Sequence, residues 1–384
     1  MLERPSKLTS YRFDQLADQI NQRVMPAEAD VERYVGLEHL DPDSLRIRRW
    51  GDPSEVESTK LRFEPRDIIF GKRRVYQRKV AVADTEGICS AHAMVLRAKP
   101  DTVLPEFLPF FMQSDLFMER ALSISVGSLS PTINWKALAK EEFLLPPIQE
   151  QARLVEVFSA SDRSADSLLD LIGTSKKLLA SLIDETASKA RRADSVERLE
   201  QLVEDDRPIC YGILMPGLGC EDGVPVIKVR DYPNGEIEAS NLLKTTPEID
   251  AEYRRSRLRH GDLLISIRGT IGRLAFVPAE LDGANITQDT ARLSLSSEVN
   301  SGYVRAMLES TFVQRQIMAY TTGLAVKGIN IGELRKLSIP LAERSEQDEL
   351  VLEIEKIRSA QLQTEKRLYS IQSLKKQLIA EAFG

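Results

Sequence analysis

Three histidines and three cysteines could hold a metal or supply a nucleophile and its base: His39, His92, His260, Cys89, Cys210 and Cys220. Their spacing suits neither role. No CxxC pair occurs, so neither a zinc site nor a disulfide framework is expected, and a reducing compartment fits. The histidines lack the spacings typical of metal ligands and read as structural or surface residues. The stretch "GLGCEDG" (Gly217–Gly223) is one residue too long for GxGxxG, and no helical pattern follows it. No G-x-x-x-x-G-K-[ST] phosphate loop is present. "LPPI" shares only its prolines with the Asn/Asp-Pro-Pro-aromatic tetrapeptide of amino-methyltransferases. Pro42-Asp43 is not followed by the Glu-x-Lys of a nuclease. The expectation is therefore no catalytic residue, no metal and no cofactor in this chain.

Cationic clusters are more informative. From Lys60 to Lys79 there are eight basic residues and two acidic ones: Lys60, Arg62, Arg66, Lys72, Arg73, Arg74, Arg78 and Lys79. From Arg254 to Arg273 there are six against one: Arg254, Arg255, Arg257, Arg259, Arg268 and Arg273. A single run of this kind is usually a solvated face. Two at equivalent places in a duplicated chain point to phosphate contacts, and arginine also reads guanine edges. Gln288, Asn285 and Asn330 are candidate adenine readers, and Lys327 is a further candidate cation.

The elements that would position these residues are written twice. At a shift of 196, Glu150-Gln151 falls on Glu346-Gln347, Ser114 on Ser310, Asn134 on Asn330 and Gly127 on Gly323. "PRDIIFGKRR" matches "HGDLLISIRG" at a shift of 195. This period is too long for a solenoid and describes a domain plus a helix. Leu154, Phe158, Ser161, Ala165, Leu168, Ile172, Ser175, Leu179 and Leu182 form a seam of about four heptads. Leu350, Ile354, Ile357, Gln361, Thr364, Leu368, Ile371, Lys375 and Leu378 form another in the same phase. Polar members make a homodimeric zipper a poor reading, and an intramolecular antiparallel pair the better one. Pro146-Pro147, and Ser345 ahead of Asp348, mark the helix starts. Within the domains, "DLLISIRG", "RLAFVP" and "ARLSLSS" read as strands. "EFLPFFMQSDLFMERALS" and "GYVRAMLESTFVQRQIMA" read as amphipathic helices.

The expected fold is α/β (α+β): two similar mixed domains, residues 1–145 and 194–341, with helical spacers at 146–193 and 342–384. The two spacers pair as an antiparallel coiled coil and give the chain a pseudo-two-fold. With 384 residues, 42% apolar and 29% charged, the composition is that of a globular protein of several domains. The net charge of -6 makes any nucleic-acid role a matter of local patches. No apolar run approaches the ~20 residues of a membrane span. The opening "MLERPSKLTSYRFD" lacks the apolar core of a signal peptide, so a cytoplasmic location is expected.

In this order and duplication the pattern resembles the specificity subunit of type I restriction-modification enzymes. The spacer motifs carry the resemblance: "FLLPPIQEQARLVEVF" with "SKKLLASLIDE", and "LSIPLAERSEQDELVLEI" with "SLKKQLIAEAF". The first half departs from it in lacking the G-T-I-G loop seen at Gly269–Gly272. The resemblance implies a non-catalytic chain whose two target-recognition domains each read half of a bipartite site in double-stranded DNA. The helices would set the half-site spacing and dock two methyltransferase subunits, which bind S-adenosylmethionine. Restriction (motor-nuclease) subunits would join them, with no membrane involved. A coiled-coil scaffold that reads no DNA, or a modification-only or phage-defence relative, is the alternative.

Overall fold

The computed structural model describes residues 8–322 and 327–383; Gly323, matched above to Gly127, lies outside them. The chain forms two compact units. One runs up to Leu171 and includes the stretch from Thr364 on; the other is Ile172–Gln363. Both combine strands, short helices and a piece of each long helix. The long helices are Ile148–Arg192 and Arg344–Phe383.

In the first unit the central sheet has strands Ala17–Ile20, Met94–Ala98, Ile68–Phe70 and Val80–Val82, in that order. In the second the order is Cys210–Tyr211, Thr290–Leu293, Leu263–Ser266 and Leu274–Phe276. Ile68–Phe70 and Leu263–Ser266 are buried throughout, as befits inner strands covered on both faces. A two-stranded ribbon carries each unit into a long helix: Thr9–Arg12 pairs with Glu142–Leu145, and Val196–Arg198 with Ser338–Pro340.

The repeated residues have local jobs. Ser114 accepts from the amide of Phe117 at 3.2 Å, and Ser310 from that of Val313 at 3.4 Å. Each serine thereby caps a helix, and each splits the expected amphipathic stretch in two: Leu108–Met112 before Asp115–Ser123, and Ser301–Glu309 before Thr311–Tyr320. Asn134 and Asn330 cap the short helices Trp135–Leu138 and Ile331–Arg335. Ser345 lies inside the second long helix, which already starts at Arg344.

The glutamine of each Glu-Gln pair is buried and bridges backbone to backbone. Gln151 donates to Pro146 O at 2.9 Å and accepts from Leu104 N at 2.9 Å. Gln347 donates to Ala342 O at 2.8 Å and accepts from Asn300 N at 2.8 Å. Each side chain satisfies an amide and a carbonyl that burial would otherwise leave unpaired, and so fastens the helix start to its domain.

Every seam residue on each long helix is buried or half-buried, and neighbours such as Ile183, Ala187 and Ile379 are buried with them. In the first unit Leu154, Phe158 and Ile379 join a core with Phe107, Phe111 and Phe117. In the second, Ile183 and Ala187 join Leu350 and Ile354 in the core under Tyr303 and Met307. The pairing is antiparallel in both: Lys375 Nζ meets Asp162 Oδ1 at 2.6 Å, and Lys189 Nζ meets Glu346 Oε1 at 2.5 Å. Lys375, an odd seam member by sequence, is buried and also donates to Gln113 Oε1 at 3.1 Å.

Candidate nucleic-acid interface

In both units the loop leaving an inner strand is pinned to a second loop by the same backbone bonds. After Ile68–Phe70, Ile133 N donates to Lys72 O (3.0 Å) and Arg74 N to Pro131 O (2.8 Å). After Leu263–Ser266, Ile329 N donates to Ile267 O (3.0 Å) and Gly269 N to Lys327 O (3.3 Å). Arg73 bridges to Thr132, which pairs with Val126; Arg268 bridges to Gly328, which pairs with Thr322. Each arginine therefore sits at the same point of a small three-stranded brace.

Two left-handed glycines of the second unit, one ahead of the inner strand and one in the loop after it, are left-handed arginines in the first. Arg74 has φ 58°, where the second unit has Gly269 at φ 70°. Arg66 has φ 74°, where the second unit has Gly261 at φ 86°. The left-handed conformation costs a residue with a Cβ about 1–2 kcal/mol. The loop thus keeps its path without the G-T-I-G sequence.

The side chains on the two braces are also paired alike. Arg73 Nη1 lies 3.1 Å from His92 Nε2, and Arg268 Nη1 donates to Gln288 Oε1 at 2.9 Å. His92 and Gln288 are themselves 196 apart, each just before an inner strand of its sheet. Histidine is not repeated at this place, so residue type alone gives His92 no role. Its register with Gln288 is the signal that does.

Around His92 the charge is all of one sign. Burial, then Arg73, Lys72 and Lys60, hold its pKa below the ordinary histidine value. Burial, then the nearby Arg23, likewise holds Lys72 below the ordinary lysine value. Arg23 lies in neither basic run, and only the fold brings it here. Cations gathered without matching carboxylates are costly unless an anion arrives to neutralise them.

The other sequence candidates divide by what occupies them. Lys60 is buried and donates to Ser58 O (2.6 Å) and Ser58 Oγ (2.7 Å). Arg62 holds Ala29 O (2.8 Å) and Glu86 (2.7 Å). Arg78 holds Gln113 O (2.6 Å) and Asp115 (2.8 Å), and Lys79 holds Leu37 O (2.6 Å). Arg74 is exposed. In the second unit Arg254 and Arg255 are exposed. Arg257 Nε donates to the buried Asp250 at 2.7 Å, and Arg259 meets Glu204 at 3.4 Å. Arg273 reaches Val229 O at 3.4 Å. Lys327 is exposed beside Arg268's bridge partner Gly328. Asn330 is exposed, with its oxygen committed to Glu333 N at 2.9 Å.

One expectation is corrected. Asn285 cannot read a base, because it is fully buried and its amide is consumed by Asp250 Oδ1 (2.9 Å) and Ser256 Oγ (2.7 Å). Among the described residues no cluster of His, Cys, Asp and Glu could hold a metal ion. No helix among them is long and apolar enough to cross a membrane.

A duplicated mixed α/β unit with paired long helices and a basic loop brace defines the class. Residues 54–171 match the type I restriction modification DNA specificity domain. The chain carries that domain and is a relative of the specificity subunits of type I restriction enzymes. It is 30% identical over 190 residues to the EcoBI specificity subunit of Escherichia coli, covering 48% of this chain and 40% of that one. It is 27% identical over 199 residues to the EcoDI specificity subunit of the same organism, covering 50% and 43%. The matched regions thus span less than half the length of these relatives. The fold is that of the type I restriction-modification S subunit from M. genitalium (TM-score 0.56, 14% identity, 98% and 96% of the two chains covered). It is likewise that of a chain solved in work on complex assembly and conformational transition of the type I R-M system (TM-score 0.54, 18% identity, 100% and 99% covered).

Proposed function

We propose that this chain is the DNA-recognition subunit of a type I restriction-modification assembly and itself does no chemistry. Each unit reads one half of a bipartite site in double-stranded DNA. The observation that carries the reading is the arginine brace, built twice on the same backbone bonds, with Arg73 and Arg268 at equivalent points. The matched DNA specificity domain includes the first of these braces. The long helices fix the half-site spacing and dock methyltransferase subunits, two in number. Exposed Leu178 on the first helix and Leu362 and Tyr369 on the second offer apolar surface to such partners. A restriction subunit joins that assembly, which works in the cytoplasm.

Duplex binding by the assembled complex at graded salt tests the reading. The Arg73→Ala, Arg74→Ala double variant should bind more weakly on every sequence. Its plot of log affinity against log salt should be shallower by roughly one for each phosphate no longer neutralised. The Arg257→Ala, Arg259→Ala variant should change that slope less, because those arginines already face Asp250 and Glu204. An unchanged slope in both would show that neither cluster faces DNA. Adding one heptad to each helix, after Ile172 and after Leu368, should lengthen the spacer between half-sites and leave their bases as they were.

A further inference from the structure

We propose that Arg73 and Arg268 each read one guanine in the major groove, and that His92 and Gln288 are the positioning residues that aim them. The inference rests on the DNA reading above and names the bases that reading leaves open.

Hydrogen-bonding capacity carries the argument. Arginine only donates, so the 3.1 Å contact makes His92 Nε2 the acceptor and puts the ring proton on Nδ1. The 2.9 Å contact uses one lone pair of Gln288 Oε1 in the same way and leaves its NH2 free to donate. The first pair has therefore spent its acceptor internally and turns only donors outward. The second keeps a lone pair on Oε1 beside its amide and guanidinium donors, so both present mainly donors. Guanine presents two acceptors, O6 and N7, to the major groove. Adenine presents one acceptor and one donor; its donor would find no acceptor on the His92 pair, and on the Gln288 pair only a lone pair of an oxygen already bonded to Arg268. An arginine gripped from the side by a fixed acceptor also loses less freedom on binding than one swinging in solvent.

The first half-site gains a sensitivity that the second lacks. Protonation of His92 removes the acceptor and adds a cation beside Arg73, so the fork is released while attraction for phosphate grows. The charged groups facing the ring are Arg73 and Lys72 from the loop and Lys60 from the neighbouring strand, all cations. The ring is thus neutral at pH 7, and acidification is what disturbs it. A carboxamide at this position does not titrate.

The test enriches bound sequences from a randomised duplex pool, using the full chain in its assembled complex. The unaltered chain should enrich a bipartite motif with a guanine, or its complement on the other strand, in each half. Arg73→Ala should cost about 5- to 150-fold in preference at one position of one half-site, and Arg268→Ala the same in the other. Arg73→Lys keeps the charge without the planar fork. It should hold the salt slope and lose the preference, which separates base reading from a folding defect. His92→Ala should weaken the same position as Arg73→Ala, and His92→Gln should restore it. As pH falls below 6.5 the preference should fade for the unaltered chain and persist for His92→Gln. A bipartite motif that Arg73→Ala and Arg268→Ala leave unchanged overturns the assignment. A motif that His92→Gln fails to restore overturns the role of His92. A pool from which the unaltered chain enriches nothing overturns the DNA reading itself, and the assignment with it.

Discussion

The ion pair inside the helix seam of the first unit gives the most quantitative handle on the fold. Lys375 is buried, with its ammonium on Asp162 (2.6 Å) and Gln113 (3.1 Å). Burial pushes the Asp162 carboxyl above its ordinary value, and Lys375 pulls it part of the way back. Replacing Lys375 by Met keeps the stem's volume and strands the carboxylate. Breaking a fully buried pair costs about 3–5 kcal/mol. The Asp162 side chain is 29% exposed, so water relieves part of this and about 2–3 kcal/mol is expected. For a unit of this size, that lowers the melting transition by roughly 5–10 °C. Replacing Asp162 by Leu as well removes the stranded charge, and the double variant should lie within about 1 kcal/mol of the unaltered chain. The pH dependence has a definite sign. Asp162's folded pKa is raised above 3.8, so its contribution to stability falls as pH rises from 3.8 through the raised value. Without the ammonium that value rises further, so Lys375→Met should regain stability on acidification from pH 7 towards 5. Calorimetry of the three variants across pH is the assay. A Lys375→Met transition unmoved at pH 7, or a double variant less stable than Lys375→Met, would refute the reasoning.

Other expectations follow from single residues. Gln151→Leu and Gln347→Leu should each cost about 1–3 kcal/mol in urea titrations, because each leaves a buried amide and carbonyl without partners. Arg66→Gly should stabilise the first unit by about 0.5–1 kcal/mol, the left-handed penalty less the entropy glycine loses on folding. Arg78→Gly, also at a left-handed position, should destabilise it instead, since Arg78 ties Gln113 O, Asp43 and Asp115 to the loop. Exchanging residues 194–341 for the equivalent domain of a relative should alter one half of the recognised site, as read by methylation-site sequencing, and leave the other unchanged.

Local grammar was legible in the chain alone. The period of 196, the two seams and the strands could be read from repeat and pattern alone, because a heptad is decided within a few residues. Ser114, Ser310, Asn134 and Asn330 stood out only as repeated residues, and the structure makes them caps. The same rules could not tell that Ser114 and Ser310 interrupt a helix as well as cap one. An amphipathic stripe continues across such a break, and only docking onto the core shows the change of direction. Composition likewise located the cationic segments but not what their side chains hold. Lys60, Arg62, Arg78 and Lys79 are held by carbonyls and carboxylates 2 to 42 residues away in sequence, while Arg73 is held by His92 and Arg74 is exposed. Charge sign is a property of the residue; whether that charge is free depends on the acceptors the fold brings to it. Tertiary structure alone paired His92 with Arg73, brought Arg23 near Lys72 and buried Asn285. Each of these joins residues whose separation in sequence carries no periodic signal.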